Sequence, residues 1–139
     1  NLAKKHQLPI VIHVRNSFYE AIEIVEKLND EKLTGVFHCF SGDFDQAQRI
    51  IDLNNFYLGI GGVVTFKNGG IDKIIDQINI DNIILETDSP YLAPKPFRGK
   101  RNESKYILNI AQKLSEIYNT NIEEIANITT CNANKLFNL

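Results

Sequence analysis

The sequence predicts an α/β fold built on a parallel sheet, and more specifically a (β/α)8 TIM-type barrel. Short apolar runs rich in β-branched residues alternate with segments of helical periodicity, and the runs are apolar throughout, as buried parallel strands are. An open doubly wound sheet usually carries a glycine-rich phosphate turn, whereas the run from Gly59 to Val64 lacks the last glycine of GxGxxG. The barrel is therefore the preferred architecture.

Four strands are predicted, and each is followed by a helix. The strands are residues 9–13, 35–40, 56–60 and 82–88. Right-handed crossovers between successive strands would place the helices outside the sheet and all the carboxyl ends of the strands at one edge.

Three helix starts are predicted by the capping box, in which a short polar residue precedes Glu or Gln by three positions. The pairs are Ser17 with Glu20, Asp43 with Gln46, and Thr120 with Glu123, the last opening a short helix. Apolar residues at helical spacing predict two more helices, one from Ile71 to Ile78 and a longer one from Ile107 to Ile117 after a proline-rich loop.

Length and charge limit the classes of protein to consider. The chain of 139 residues is 43% hydrophobic, which fits one core and a single domain over residues 1–139. A net charge of -2 argues against a protein that coats nucleic acid through general basicity. Residues 94–105 nevertheless hold five basic side chains and one acidic one, a local charge of +4 that leaves -6 on the rest.

The cysteines and the absence of long apolar runs indicate a compartment. Cys39 and Cys131 form no CxxC pair and no Cys/His zinc spacing, so neither a disulfide scaffold nor a zinc finger is indicated. No apolar run approaches the roughly 18 residues of a membrane span, and no signal peptide opens the chain. We therefore expect a cytoplasmic protein without a membrane partner. Asn1 is not a methionine, and residues 1–8 read as the end of a helix, which suggests a piece of a longer protein.

Polar side chains recur at the carboxyl ends of three predicted strands, as His13, His38 and Asp88. In a barrel these ends meet on one face, where binding and catalytic residues collect. Imidazole nitrogens and a carboxylate oxygen are suitable ligands for zinc, manganese or another divalent ion. A lone histidine at a strand end is more often a hydrogen-bonded structural residue, but three such residues at equivalent positions favour a shared metal site.

The fourth predicted strand ends in two acids, Glu86 and Asp88, after the aliphatic run from Ile83 to Leu85. Residues two apart point to the same side of an extended strand, so both carboxylates are expected on one face. A turn at Ser89-Pro90 needs one acid at most, which favours a site over a simple turn.

Four cations could bind an anion near this site. They are Arg15, Arg98, Lys100 and Arg101. Arg15 lies two residues after His13 and would face the same side if the strand persists, although a surface salt bridge explains it equally well. The other three belong to a basic loop, which is either a solvated loop or a phosphate contact beside Asp88.

Five segments together carry a family resemblance. They are Ile12 to Arg15, His38 to Gly42, Glu86 to Pro94, Arg98 to Asn102 and Thr129 to Phe137. In this order they resemble the TatD family of metal-dependent deoxyribonucleases. The second and third segments are specific, and the resemblance covers the chain from end to end.

This resemblance implies that His13, His38 and Asp88 are metal ligands in a metal-dependent hydrolase barrel that cleaves DNA phosphodiesters. Two divalent ions would occupy a complete site, with zinc, manganese and magnesium as the candidates. Asp88 would be both a metal ligand and the proton acceptor. Glu86 would orient one of the metal ligands without binding the metal itself. DNA would be the substrate, and Arg15 with the basic loop would hold its backbone without reading bases.

Two features of the family have no counterpart in the chain, namely its His-x-His pair and its metal-bridging glutamate. A complete barrel needs roughly 250 residues, so about 110 N-terminal residues are expected to be missing. The chain would then be the C-terminal half of a barrel holding half a site, with little or no activity alone. We expect such a fragment to pair with the missing half or with itself.

Two other functions stay open on the sequence. A related barrel hydrolase could act on a small amide, ester or phosphate, because a metal activates water in the same way for each, although a small neutral substrate would not require the basic loop. A truncated chain could also be a noncatalytic assembly module. A reading frame that extends upstream through a His-x-His strand would exclude this last possibility.

Overall fold

A computed structural model of the chain describes residues 2–139 as one parallel sheet flanked by helices. The four strands are β1 (Ile10–His13), β2 (Gly35–His38), β3 (Phe56–Ile60) and β4 (Ile83–Leu85). The helices of these residues are α1 (Leu2–His6), α2 (Phe18–Leu28), α3 (Phe44–Ile51), α4 (Ile71–Ile75), α5 (Ile107–Ile117) and α6 (Ile122–Phe137). No helix within residues 2–139 is long and apolar enough to cross a bilayer.

The strands lie side by side in chain order, and their register aligns the carboxyl ends. His13 and His38 are direct partners across the first pair of strands, and Ile60 pairs with Leu85 across the last. Each crossover contains a helix, which confirms the predicted α/β class and parallel sheet. Within residues 2–139, β1 pairs only with β2 and β4 only with β3, so the sheet has two open edges.

The two faces of the sheet are packed differently. One face meets the helices in the main core, whose buried residues include Ile22, Ile50, Leu58, Ile60, Ile75, Ile83, Ile110, Leu114 and Ile125. The other face carries a small cluster of Val36, Ile84 and Leu136, with Tyr57 packed against it. By strand alternation His38 shares this second face with Val36. The candidate ligand therefore projects from the less filled face.

Two strands end earlier than the sequence predicts. The second ends at His38, because Cys39 turns into the left-handed region with φ of 50°. The fourth covers only Ile83–Leu85, and Asp88, beyond its end, has φ of 54°. The prediction that one extended strand carries both acids is therefore wrong.

The helix starts follow the predicted signals in part. At α3 the capping box is confirmed, since the Gln46 N–H donates to Asp43 Oδ1 at 2.8 Å and Asp43 N–H to Gln46 Oε1 at 3.3 Å. Ser17 precedes α2 without a side-chain cap bond, because its backbone (φ -127°, ψ 41°) lies outside the extended geometry of a cap. The last helix is capped by Asn121, one residue after the predicted Thr120, and its 16 residues make it long, not short.

Candidate metal centre

His38 lies between two carboxylates at the carboxyl end of the sheet. Its Nδ1 is 2.8 Å from Glu86 Oε1 and 2.9 Å from Oε2, while its Nε2 is 3.3 Å from Asp88 Oδ1. All three side chains are partly buried. Because one acid faces each ring nitrogen, Glu86 and Asp88 act on the same imidazole from opposite edges.

Glu86 is fixed by its surroundings as well as by His38. Its Oε1 accepts a hydrogen bond from the Cys39 main-chain N–H at 2.9 Å. Gly59 leaves the space that the carboxylate fills, since a Cβ at that position would lie 2.3 Å from Glu86 Oε2. Burial raises the pKa of Glu86, and the neighbouring His38 opposes that rise. The glycine on β3 therefore allows an acid beyond β4 to reach a histidine on β2.

Asp88 reaches His38 through a turn. The strand has already ended at Leu85, and the Tyr91 N–H donates to the Asp88 carbonyl at 2.8 Å to close the turn that follows. The left-handed backbone of Asp88 directs its carboxylate to the Nε2 edge of the ring. The two acids thus meet at one site, as expected, although the geometry that brings them there is not strand alternation.

His13 stands beside this group and is less closely held. Its ring centroid is 5.7 Å from that of His38, and the residue is exposed. Across residues 2–139 no group of three His, Cys, Asp or Glu side chains is arranged so that all three could hold one metal ion. The structure brings His38 and Asp88 into contact and leaves His13 adjacent, so the three-ligand set stays a prediction.

The donor atoms at His38 and Asp88 fit a divalent cation. Metal-binding histidines usually donate their second ring N–H to a carboxylate or carbonyl, which fixes the tautomer and the ring orientation. Glu86 is placed to accept that N–H from Nδ1. The lone pair of Nε2 then faces Asp88, and an imidazole nitrogen beside a carboxylate oxygen suits zinc or manganese.

Asn102 belongs to the site, although its sequence context predicts no individual role for it. It is only 2% exposed, and its Nδ2 donates to the carbonyls of Thr87 at 2.5 Å and Tyr91 at 2.6 Å. Its main-chain N–H also donates to the Pro90 carbonyl at 3.0 Å. Asn102 therefore holds the backbone on both sides of Asp88. The one available signal was a short polar residue after a basic run, which does not reveal burial.

The predicted phosphate-binding residues divide into two groups. Arg15 lines a cavity of about 210 Å³ that His38 also lines. Arg98 and Lys100 line a separate groove of about 420 Å³, together with Pro90 and Tyr91 of the segment that follows Asp88. Arg101 is exposed and lines neither space. Two of the three cations in the basic loop therefore lie beside the segment that carries Asp88.

The cysteines are both free thiols, as their spacing predicts. Burial, together with the charges of Glu86 and Asp88, raises the pKa of the Cys39 thiol to about 11. Cys131 is exposed on α6. The two thiols therefore differ in exposure and surroundings.

A family model described as TatD related DNase matches residues 1–138. The chain belongs to this family. Its curated relatives include the uncharacterized metal-dependent hydrolase YabD of Bacillus subtilis (strain 168), 42% identical over 139 residues, and BU355 of Buchnera aphidicola (subsp. Acyrthosiphon pisum, strain APS), 41% identical over 139 residues. Each match covers 99% of this chain but only 54% and 52% of the two relatives. The chain spans about half the length of the curated relatives it matches.

Solved structures of TatD proteins have the same fold. The TatD homologue YJJV from Escherichia coli K12 matches with a TM-score of 0.92 at 28% identity, over 99% of this chain and 53% of that one. A TatD family hydrolase from Entamoeba histolytica matches with a TM-score of 0.84 at 23% identity, which supports the fold alone. The predicted TIM-type barrel is confirmed, and the four strands correspond to about half of the TatD fold.

Proposed function

We propose that the full-length protein, meaning the whole reading frame that contains these 139 residues, is a metal-dependent deoxyribonuclease. The observation that carries the proposal is the pair of carboxylates on His38 beside cations that form no ion pair with any described acid. An imidazole with a carboxylate suits a divalent ion, and free cations suit a phosphodiester backbone. A small neutral amide or ester would use only the first of these features.

In this proposal His38 and Asp88 hold a divalent cation, with His13 as a further ligand. Glu86 keeps the His38 ring in orientation by accepting the N–H of Nδ1. When bound, two divalent ions per complete site, zinc, manganese or magnesium, would supply Lewis-acid activation of water and charge neutralisation at the phosphate.

Asp88 also serves as proton acceptor. One of its carboxylate oxygens takes a proton from the attacking water as the water oxygen forms a bond to phosphorus and the P–O bond to the sugar oxygen breaks. The departing sugar oxygen then takes up a proton from solvent, and Asp88 releases its proton to complete the cycle. Arg15 and the cations of the basic loop hold the nonbridging oxygens of the DNA backbone, which positions the substrate without reading its bases.

The decisive experiment is a nuclease assay on the full-length protein and its Asp88→Asn variant, each with added manganese, magnesium or zinc. Asparagine keeps the size of the side chain but cannot accept the proton, so we expect a loss of about a thousandfold, corresponding to several kcal/mol of transition-state stabilisation. The variant with Lys113 replaced by Ala, on the outer helix α5, serves as the matched surface control. An Asp88→Asn protein with normal activity would remove Asp88 from the mechanism.

We further propose that strands outside this chain pair with the open edges of β1 and β4. Val11 on β1 is 60% exposed, and Ile84, Leu85 and Leu108 line an apolar groove of about 280 Å³ beside β4. Exposed apolar strand edges favour association. The occupant would be the N-terminal half of the barrel or a second copy of the chain. Sedimentation of the isolated 139 residues should give a dimer that the N-terminal half displaces, and a monomer at high concentration would count against it.

A cytoplasmic location is part of the same proposal. Cys39 and Cys131 are free thiols, a state that the reducing cytoplasm maintains. Peptide mapping of protein isolated without reductant should recover both as free thiols, and a disulfide at either position would argue for another compartment.

A further inference from the structure

The backbone from Asp88 to Leu92 is left-handed at both ends. Asp88 has φ of 54° and Leu92 has φ of 52°, a region that residues other than glycine rarely occupy. The Tyr91 N–H closes the turn between them by donating to the Asp88 carbonyl at 2.8 Å. Leu92 has a bulky side chain without a polar group that could bond to its own backbone, so contacts from elsewhere in the fold hold it in this conformation.

A short 3-10 helix after β3, Gly62–Thr65, supplies one of these contacts. A Cβ at position 62 would clash with the Leu92 carbonyl oxygen and would lie 3.0 Å from the Pro94 nitrogen, so glycine is needed for the two main chains to come this close. The short helix is itself anchored, since Val64 is 1% exposed and belongs to the main core. The Leu92 main chain therefore lies against a fixed part of the fold.

Thr65 connects this short helix to the chain that follows Leu92. Its hydroxyl donates to the Gly62 carbonyl at 2.7 Å and accepts from the Lys95 N–H at 3.0 Å. Because the hydroxyl has a donor role and an acceptor role at once, its two partners fix its orientation. Residues 92–95 are therefore held at one end by the close approach of Gly62 and at the other by the Thr65 hydroxyl.

The support from Thr65 is separate from the support that Asn102 gives the same turn. The Asn102 side-chain amide donates to the carbonyls of Thr87 and Tyr91, and its main-chain N–H donates to the Pro90 carbonyl. None of these three bonds reaches residues 92–95. The left-handed end of the turn at Leu92 therefore depends on the contacts from the short helix.

We propose that Thr65 is a positioning residue for Asp88 and acts through the left-handed backbone at Leu92. The inference rests on the proposed function, which gives Asp88 a divalent cation to hold. Loss of the Thr65 hydroxyl releases the Lys95 N–H and lets Leu92 relax toward negative φ, which redirects the chain at one end of the turn. The Asp88 carboxylate at the other end then moves from its place 3.3 Å from His38 Nε2.

Calorimetric titration of the full-length protein with manganese, in the absence of DNA, tests this inference apart from catalysis. Thr65→Val keeps the shape of the side chain and removes the hydroxyl, so we expect manganese affinity to fall about tenfold to a hundredfold, as for loss of a group that orients a metal ligand. Thr65→Ser keeps the hydroxyl and should retain the wild-type affinity. Thr129→Val on α6 is the matched control, because it removes a hydroxyl that donates to the Ile125 carbonyl at 2.8 Å, and it should leave the affinity unchanged.

A second substitution tests the route through Leu92. Glycine adopts positive φ without steric cost, so Leu92→Gly added to Thr65→Val should recover most of the lost manganese affinity. Recovery of this kind is not expected if Thr65 only contributes to stability. A double variant that binds manganese as weakly as Thr65→Val would overturn the proposed route.

Amide hydrogen exchange of the metal-free protein shows whether the change reaches the turn. In Thr65→Val the Tyr91 N–H, which bonds to the Asp88 carbonyl, should exchange about tenfold faster, together with the Lys95 N–H. Faster exchange at Lys95 alone, wild-type manganese affinity in Thr65→Val, or a Thr65→Val protein that does not fold would each overturn the positioning role and leave the proposed function standing. A wild-type protein that binds no manganese would overturn both.

Discussion

Each end of β4 is held by the side-chain amide of a buried asparagine, but the two asparagines support different parts of the molecule. At the end near α6, Asn132 Nδ2 donates to the carbonyls of Ile80 at 3.0 Å and Ile83 at 2.8 Å. At the opposite end, Asn102 Nδ2 donates to two carbonyls on either side of Asp88. Both asparagines are 2% exposed. The functional role of a buried side-chain amide therefore depends on the backbone that it holds, which is a packed strand for Asn132 and the turn with a candidate ligand for Asn102.

Truncating each asparagine and measuring the rate of DNA cleavage tests whether the two side chains have different roles. Asn102→Ala frees the turn that positions Asp88, so we expect activity of the full-length protein to fall about 10- to 100-fold, as for loss of a group that orients a metal ligand. Asn132→Ala alters only the packed end, and its rate should stay within about threefold of wild type. Equal losses in the two variants would contradict the distinction.

Thermodynamic stability should not distinguish the two variants. Each substitution leaves two main-chain carbonyls without their side-chain donor, and we expect each to lower the free energy of unfolding by about 2 kcal/mol. Urea unfolding followed by circular dichroism measures this. If Asn102→Ala were far more destabilising than Asn132→Ala, its loss of activity would reflect unfolding, and the positioning role would not be supported.

Two glycines extend the comparison to the other strands. A Cβ at Gly59 would lie 2.3 Å from Glu86 Oε2, whereas a Cβ at Gly35, at the far end of the sheet, would lie 2.5 Å from the Ile10 carbonyl. Gly59→Ala should push Glu86 from His38 and reduce the rate about tenfold. Gly35→Ala should cost about 1 to 3 kcal/mol of stability through overpacking and leave the rate per folded molecule unchanged.

The smallest expected effect is a change in the rate at which the Cys39 thiol reacts, with Cys131 on α6 as the comparison. Because burial and the adjacent acids raise the pKa of Cys39 to about 11, its thiol stays protonated at pH 8, and alkylation by iodoacetamide should speed up as pH rises toward that value. Asp88→Asn removes one of the negative charges that raise this pKa, so labelling of Cys39 should quicken about threefold. Exposed Cys131 is the internal control, measured in the same digest by mass spectrometry, and its rate should not change.

The sequence predicted what depends on local pattern and missed what depends on distant contacts. The third strand, Phe56–Ile60, and the Asp43 cap were predicted correctly, because apolar runs and capping boxes act within a few residues. The sequence also predicts that His38 and Asp88 lie close together, because parallel strands end at the same edge of a sheet, and the two side chains are in contact. The early end of β4 was missed, since the left-handed backbone at Asp88 has no strong local signal.

The buried asparagines show most clearly which contacts a sequence pattern does not predict. Asn132 bonds to a carbonyl 49 positions away, and Asn102 to one 15 positions away. A polar residue is buried only when tertiary packing supplies its partners, and neither distance is visible in a periodic pattern. Glu86 was given a supporting role from the family resemblance, but its position depends on space at Gly59, which only the assembled sheet reveals.

The side-chain amides at both ends of β4 also affect how the sheet can grow. An edge strand that relies on its outer neighbour for alignment can slip along its axis until that neighbour arrives, and a slip of one residue turns every side chain to the wrong face. β4 lacks that freedom, because Asn102 and Asn132 fix the chain before and after it. A strand that joins this edge would therefore pair with a template whose own alignment is already set.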